Sequence, residues 1–176
     1  MIIIGYQGVG KSTIGSREKD FIDLESSSFF VDGKRQDNWY IIYCEIAKKL
    51  SDDKKYVFVS SHKEVREYLK NNYPDDTIAL CPDSNTEMRD IWIKRLEDRY
   101  NYTNLEKDFK ALKNAQRDYL RNTEDIIDSG FNTIIITDAE CKPESIISKI
   151  KMLELDIGYL AKTYDNNGIR VIIMKR

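Results

Sequence analysis

The chain has 176 residues, 41% of them hydrophobic and 33% charged, with a net charge of −2 at pH 7. That is room for one α/β core rather than two, and a globular composition rather than a disordered one. The near-neutral balance argues against a nucleic-acid coat and against a polybasic membrane anchor.

Cys44, Cys81 and Cys141 lie far apart and form no C-x-x-C pair, so neither structural zinc nor a disulfide framework is expected, and a reducing cytoplasm fits best. No cationic segment precedes the isoleucines at positions 2–4, so no signal peptide is expected. No apolar run approaches the ~18 residues of a membrane span.

In chain order, β-rich apolar runs occur at 2–4, 21–24, 56–59, 77–80 and 133–137. They do not alternate with polar residues, which predicts strands covered on both faces. Helical patterns between them predict a parallel sheet. The first long helix places Trp39, Ile42, Tyr43, Ile46 and Leu50 on one face. The next does so with Met88, Ile91, Trp92 and Leu96, and a third with Leu105, Phe109 and Leu112. The third is expected to reach Ser129 and stop at Gly130. Three capping boxes are expected, pairing Ser61 with Glu64, Ser84 with Glu87 and Thr103 with Glu106. Pro143 suits the first turn of a last helix. Asp165-Asn166-Asn167-Gly168 predicts a turn in a C-terminal hairpin, read as an appendage over 156–176 beside a main domain over 1–155.

The strongest motif is Gly5-Tyr6-Gln7-Gly8-Val9-Gly10-Lys11-Ser12-Thr13, which satisfies G-x-x-x-x-G-K-[ST] between an apolar strand and a helix-compatible stretch. Glycines let the backbone wrap so that amides point at an anion, and the following helix start adds its positive dipole end. Lys11 can reach the β- and γ-phosphates, and the Ser12 hydroxyl can ligate Mg²⁺. The cofactors expected are therefore ATP and Mg²⁺, bound by Gly5, Gly8, Val9, Gly10, Lys11, Ser12 and Thr13. No N-K-x-D motif of a GTPase follows. The run at 56–59 leads into Ser60-Ser61-His62 rather than an acidic residue.

The segment G-Y-Q-G-V-G-K-S-T, followed closely by F-I-D-L-E-S-S, resembles the nucleotide-kinase and shikimate-kinase branch of P-loop proteins. It looks most like the small adenylate-kinase-like kinases common in bacteriophages and their bacterial hosts. The resemblance covers about residues 1–150. It implies a three-layer α/β fold with a five-stranded parallel sheet in order 2-3-1-4-5 and a small lid, here near 95–106. It implies ATP-dependent phosphoryl transfer to a small acceptor, a nucleoside monophosphate or nucleoside. It gives Asp23 the role of holding the metal or orienting the acceptor hydroxyl, and Glu25 an acceptor contact, where shikimate kinases carry an aspartate. It makes Arg95 and Arg99, with Arg89 and Lys94 nearby, candidate lid cations that neutralise the transferred group, with Arg117 and Arg121 next in line. It matches residues 138–141 to a loop that contacts adenine.

Further acceptor contacts are expected from Ser26, Arg35 and His62, with Ser27 and Lys34 beside them and a turn at Asp32-Gly33. Arginine suits bidentate phosphate contacts. The plainer readings stay open: a strand end for Asp23 and Glu25, a solvated pair for Lys34 and Arg35, a helix-cap neighbour for His62, a solvated helix face for Arg95 and Arg99. Other functions also stay open: a kinase for a sugar, a shikimate-like acid or a polynucleotide 5′ end, or a nucleotide-binding regulatory protein without turnover.

Overall fold

The structure, a computed structural model, describes residues 1–31, 34–155, 164–166 and 168–173. The chain runs β1 (Ile2–Gly5), α1 (Lys11–Arg17), β2 (Phe21–Asp23), a 3₁₀ turn (Ser26–Phe29), β3 (Phe30–Val31), β4 (Lys34–Arg35), α2 (Trp39–Asp52), β5 (Tyr56–Ser60), α3 (Lys63–Asn72), β6 (Thr77–Pro82), α4 (Thr86–Thr103), α5 (Glu106–Ile127), β7 (Asn132–Ile136), α6 (Pro143–Leu155), β8 (Tyr164–Asn166) and β9 (Ile169–Ile172). The main sheet has the order β2-β5-β1-β6-β7-β9-β8. The pairs among β2, β5, β1, β6 and β7 are parallel, whereas β9 lies antiparallel to both β7 and β8. The fold is thus α/β with a mixed, mainly parallel sheet. Strands β3 and β4 form a separate two-stranded ribbon.

Every residue of β1 and of β6 is buried, because helices cover both faces and leave no side for polar residues. Ile2, Ile3 and Ile4 are fully buried; each contributes about 1.5–3 kcal/mol through its removal from water. Gly5 stands level with Ser60 of β5 and Leu80 of β6, so the chain leaves the sheet at its carboxyl edge between two long neighbours.

The C-terminal hairpin, expected as an appendage, extends the sheet. The Gly168 carbonyl accepts from the amides of Thr137 and Asp138 at 2.8 and 3.1 Å, and Arg170 pairs with Asp83 at 2.7 Å. The hairpin therefore backs the loop after β7. Asn167 in its turn and the Asp32-Gly33 turn lie outside the described residues.

The expected helix face holds in α4, where Met88, Trp92 and Leu96 are buried, and shifts in α2 and α5. In α2 the buried positions are Trp39, Tyr43, Cys44, Ala47 and Ser51, while Ile42 and Ile46 are exposed. Small side chains at 44, 47 and 51 let the helix lie close to the sheet, and close approach buries more than the larger isoleucines could there. Ile91 in α4 and Phe109 in α5 are likewise exposed, as is Leu105 just before α5. The caps are also displaced. Asn85 caps α4 by accepting from the Met88 amide at 2.8 Å. His62 and Leu105 occupy the other two N-cap positions without a side-chain cap. Helix α5 ends at Ile127, with a break at Asp118 (φ −136°, ψ 23°).

Candidate functional site

Three structural units converge at the carboxyl edge of the sheet. The first is the Gly5–Thr13 loop between β1 and α1. Gly8 and Gly10 have φ of 84° and 94°, a region open to glycine at little cost. Gly10 is also the N-cap of α1, and the first amides of a helix have no partner within it. The second unit is the end of β2 with the 3₁₀ turn. Tyr43 positions it from α2: its hydroxyl donates to the Leu24 carbonyl at 2.7 Å and accepts from the Ser60 amide at 2.8 Å. Burial pushes the Tyr43 pKa up, so the group stays a neutral phenol. The third unit is a helical hairpin made by α4 and α5, turned at Asn104, whose φ is 51°.

Between them lies a cleft of about 510 Å³ lined by Gly8, Gly10, Lys11, Ser12 and Thr13, by Asp23, Glu25 and Ser26, and by Arg95, Arg99 and Lys107. Lys11 folds back over its own loop, donating to the carbonyls of Gly5 at 2.8 Å and Tyr6 at 3.2 Å. Burial holds its pKa below the ordinary lysine value, opposed by the nearby Asp23 and Glu25 carboxylates. The Ser12 hydroxyl donates to Asp23 Oδ2 at 2.6 Å. Lys107 reaches Glu25 at 3.1 Å, an ion pair from the hairpin to the end of the β2 segment. Arg99 pairs at 2.7 Å with Asp108, whose carboxylate is almost fully buried and also accepts from Thr103 Oγ1 at 2.6 Å. Arg95 lies over the Trp92 ring and donates to the Ala139 carbonyl at 3.3 Å.

Most residues singled out by sequence meet here: Gly8, Gly10, Lys11, Ser12, Thr13, Asp23, Glu25, Ser26, Arg95 and Arg99 all line the cleft. Gly5 and Val9 are buried beneath it in β1 and the loop. Arg35 and His62 do not line it. They flank Trp39 instead: the Arg35 guanidinium sits 4.1 Å from the ring centre, and the His62 ring meets it edge-on at 5.4 Å. Arg35 remains linked to the cleft through Ser26 Oγ at 3.3 Å, and His62 through Ser60 Oγ at 2.9 Å. Lys34 is exposed on β4. Arg89 and Lys94 spend their charge on neighbouring acids of their own helix, and Arg117 on Asp118; none of these lines the cleft, nor does Arg121.

Sequence reasoning missed Lys107, Asp108 and Gln7. The hairpin brings the first two over the cleft, and only the spacing of acid and base just after Asn104 hints at them. Residues 95–106, expected as a lid, form the tip of two packed helices. Residues 137–140 line a smaller cavity of about 270 Å³ with Asn85, Glu87, Met88 and Ile91. Ala139, one of its lining residues, accepts from Arg95.

Among the described residues no group of three or more His, Cys, Asp or Glu side chains gathers as a metal site, and no helix is long and apolar enough to cross a membrane. Compared with protein-family models and with curated proteins, the chain matches no family and no curated protein. What fold and site define is an α/β protein with a polar, mixed-charge cleft at the carboxyl ends of its parallel strands.

Proposed function

We propose that the protein is an ATP-dependent kinase that transfers a phosphoryl group to a small acceptor, a nucleoside monophosphate or nucleoside. One observation carries the reading. The glycine loop with Lys11, the Ser12–Asp23 pair and the hairpin cations Arg95 and Arg99 share one cleft of about 510 Å³. That cleft lies where open α/β sheets bind ligands, outside the carboxyl ends of the strands and where the strand order reverses. The order β2-β5-β1-β6-β7 supports it too. Counted along the chain, those five strands run 2-3-1-4-5, as the resemblance to P-loop kinases implies.

In this reading the Gly5–Thr13 backbone cradles the triphosphate, and Lys11 leaves the Gly5 and Tyr6 carbonyls to bridge its β- and γ-phosphates. Ser12 and Asp23 are both hard oxygen donors 2.6 Å apart and would hold Mg²⁺, with phosphate and water oxygens completing its shell. Bound there, the ion neutralises triphosphate charge. Asp23 orients the acceptor hydroxyl, Glu25 and Ser26 contact the acceptor, and Arg95 and Arg99 offset charge that develops on the transferred group. The nucleobase would lie toward residues 137–140.

A screen of ATP consumption against nucleosides, nucleoside monophosphates and sugars tests the proposal. ADP release stimulated by one nucleoside or nucleotide class is expected. Stimulation by a sugar alone would reassign the acceptor. Steady release without any acceptor would make the protein an ATPase, and binding without release would make it a regulatory module.

A further inference from the structure

The peptide between Gln7 and Gly8 is held from below by the helical hairpin. Trp92 of α4 is fully buried and donates its indole Nε1–H to the Gln7 carbonyl at 2.9 Å. The Gln7 side chain donates to the Ala111 carbonyl of α5, also at 2.9 Å. A Cβ on Gly8 would come within 3.0 Å of Trp92 Nε1 and 3.1 Å of Leu96 Cδ2, so glycine is what lets the loop backbone lie this close to α4.

A trans peptide unit is planar, with its C=O and N–H pointing in opposite directions. Trp92 does not line the cleft, whereas Gln7 and Gly8 do. A Gln7 carbonyl turned down onto the buried indole therefore turns the Gly8 N–H up toward the cleft. Among the described residues that amide donates to no backbone carbonyl.

We propose that Trp92 is a positioning residue: by holding the Gln7 carbonyl it presets the Gly8 amide as a hydrogen-bond donor to the polyphosphate of a bound nucleotide. Loop and hairpin then form one anion-binding unit. The inference rests on the polyphosphate-binding half of the kinase reading.

Pyrophosphate binding by the full chain, followed by calorimetry and by the ¹⁵N–¹H signal of Gly8, is the test. In the wild type the Gly8 signal should move on titration, whether or not any variant folds. Trp92→Phe, which keeps an aromatic ring but removes the N–H, should raise the pyrophosphate Kd about tenfold. Leu96→Ala opens space against the same glycine without touching the carbonyl and should raise it by less than about threefold. Equal weakening by both variants, or a Gly8 signal that stays still while pyrophosphate binds, overturns the assignment of Trp92 and leaves the kinase reading standing. A wild type that binds neither pyrophosphate nor ATP overturns both. Binding with a shifted Gly8 signal but no acceptor-dependent transfer keeps the role of Trp92 and removes the kinase.

Discussion

The Ser12 hydroxyl donates to Asp23 Oδ2 at 2.6 Å, tying the first turn of α1 to the last residue of β2. Gly15 makes this approach possible, since a Cβ there would meet the Asp23 amide at 3.2 Å. Asp23 is thus fixed beside the loop by backbone packing as well as by its own hydrogen bond.

Asp23→Asn keeps the shape and removes the charge. Its effect should fall on the transition state, where the carboxylate acts on the acceptor or the metal. A fall in kcat of about a hundredfold is expected, with KM for ATP changed less than about threefold. Steady-state kinetics decide it: a raised KM with unchanged kcat would give Asp23 a ground-state binding role only.

Lys11→Ala should abolish transfer while leaving the fold intact. The side chain spans the mouth of the loop and bonds the Gly5 and Tyr6 carbonyls, and no second lysine stands within that loop. A loss of at least about a thousandfold in kcat/KM is expected, more than about 4 kcal/mol of transition-state stabilisation. Coupled-assay kinetics and a melting curve on the same sample check both halves, and activity within tenfold of wild type would remove Lys11 from the mechanism.

Strands and the loop motif were legible in the sequence because their signals are local. Residues 2–4 and 78–81 are unbroken apolar runs, and G-x-x-x-x-G-K-S is one contiguous motif. Helix faces were less so. Apolar content at 42 and 46 outweighs that at 44, 47 and 51 on any hydropathy count, yet the small residues win because they permit close packing. The pairing of β9 with β7 rests on contacts between distant segments, which periodicity does not encode. Arg35 and His62 were placed near the acceptor by their positions after β2 and at the end of β5, whereas their contacts with Trp39 depend on where α2 begins.

His62 should leave a mark on stability rather than on transfer. Dehydration beside Trp39, then the Arg35 cation, push its pKa down to about 4. In this window the unfolded chain binds the proton more readily than the folded one. Stability is therefore full above the ordinary histidine value of about 6.5 and is lost as pH falls from there toward 4. The residue is exposed, so solvent reduces the size of the effect. Urea unfolding of wild type and His62→Gln between pH 7 and 4 should show a shallower acid loss in the variant. Parallel curves would mean that His62 titrates normally in the fold.

The hairpin cations offer the sharpest test of the site. Arg99 is held by Asp108, a buried carboxylate that also takes the Thr103 hydroxyl near the end of α4. Asp108→Asn should loosen that joint and cost about 1–3 kcal/mol in unfolding free energy, since buried polar groups would lose a charged partner. Arg95→Ala and Arg99→Ala are different in kind. Both side chains reach into the cleft from an exposed helix face, so Arg95→Ala should cost less than about 1 kcal/mol of stability, whereas Arg99→Ala also strips the buried Asp108 carboxylate of its cation and should cost about 1–3 kcal/mol. Each should cost about a hundredfold in kcat, because the charge they offset develops during transfer. Hydrogen exchange over residues 95–106 should slow when a bisubstrate analogue binds, as the hairpin tip gains partners across the cleft. On the alternative of an ordinary solvated face, both arginine variants turn over normally and exchange is unaffected. The cation left to neutralise the transferred group is then Lys107, already poised 3.1 Å from Glu25 at the same cleft, and Lys107→Ala becomes the variant that loses kcat.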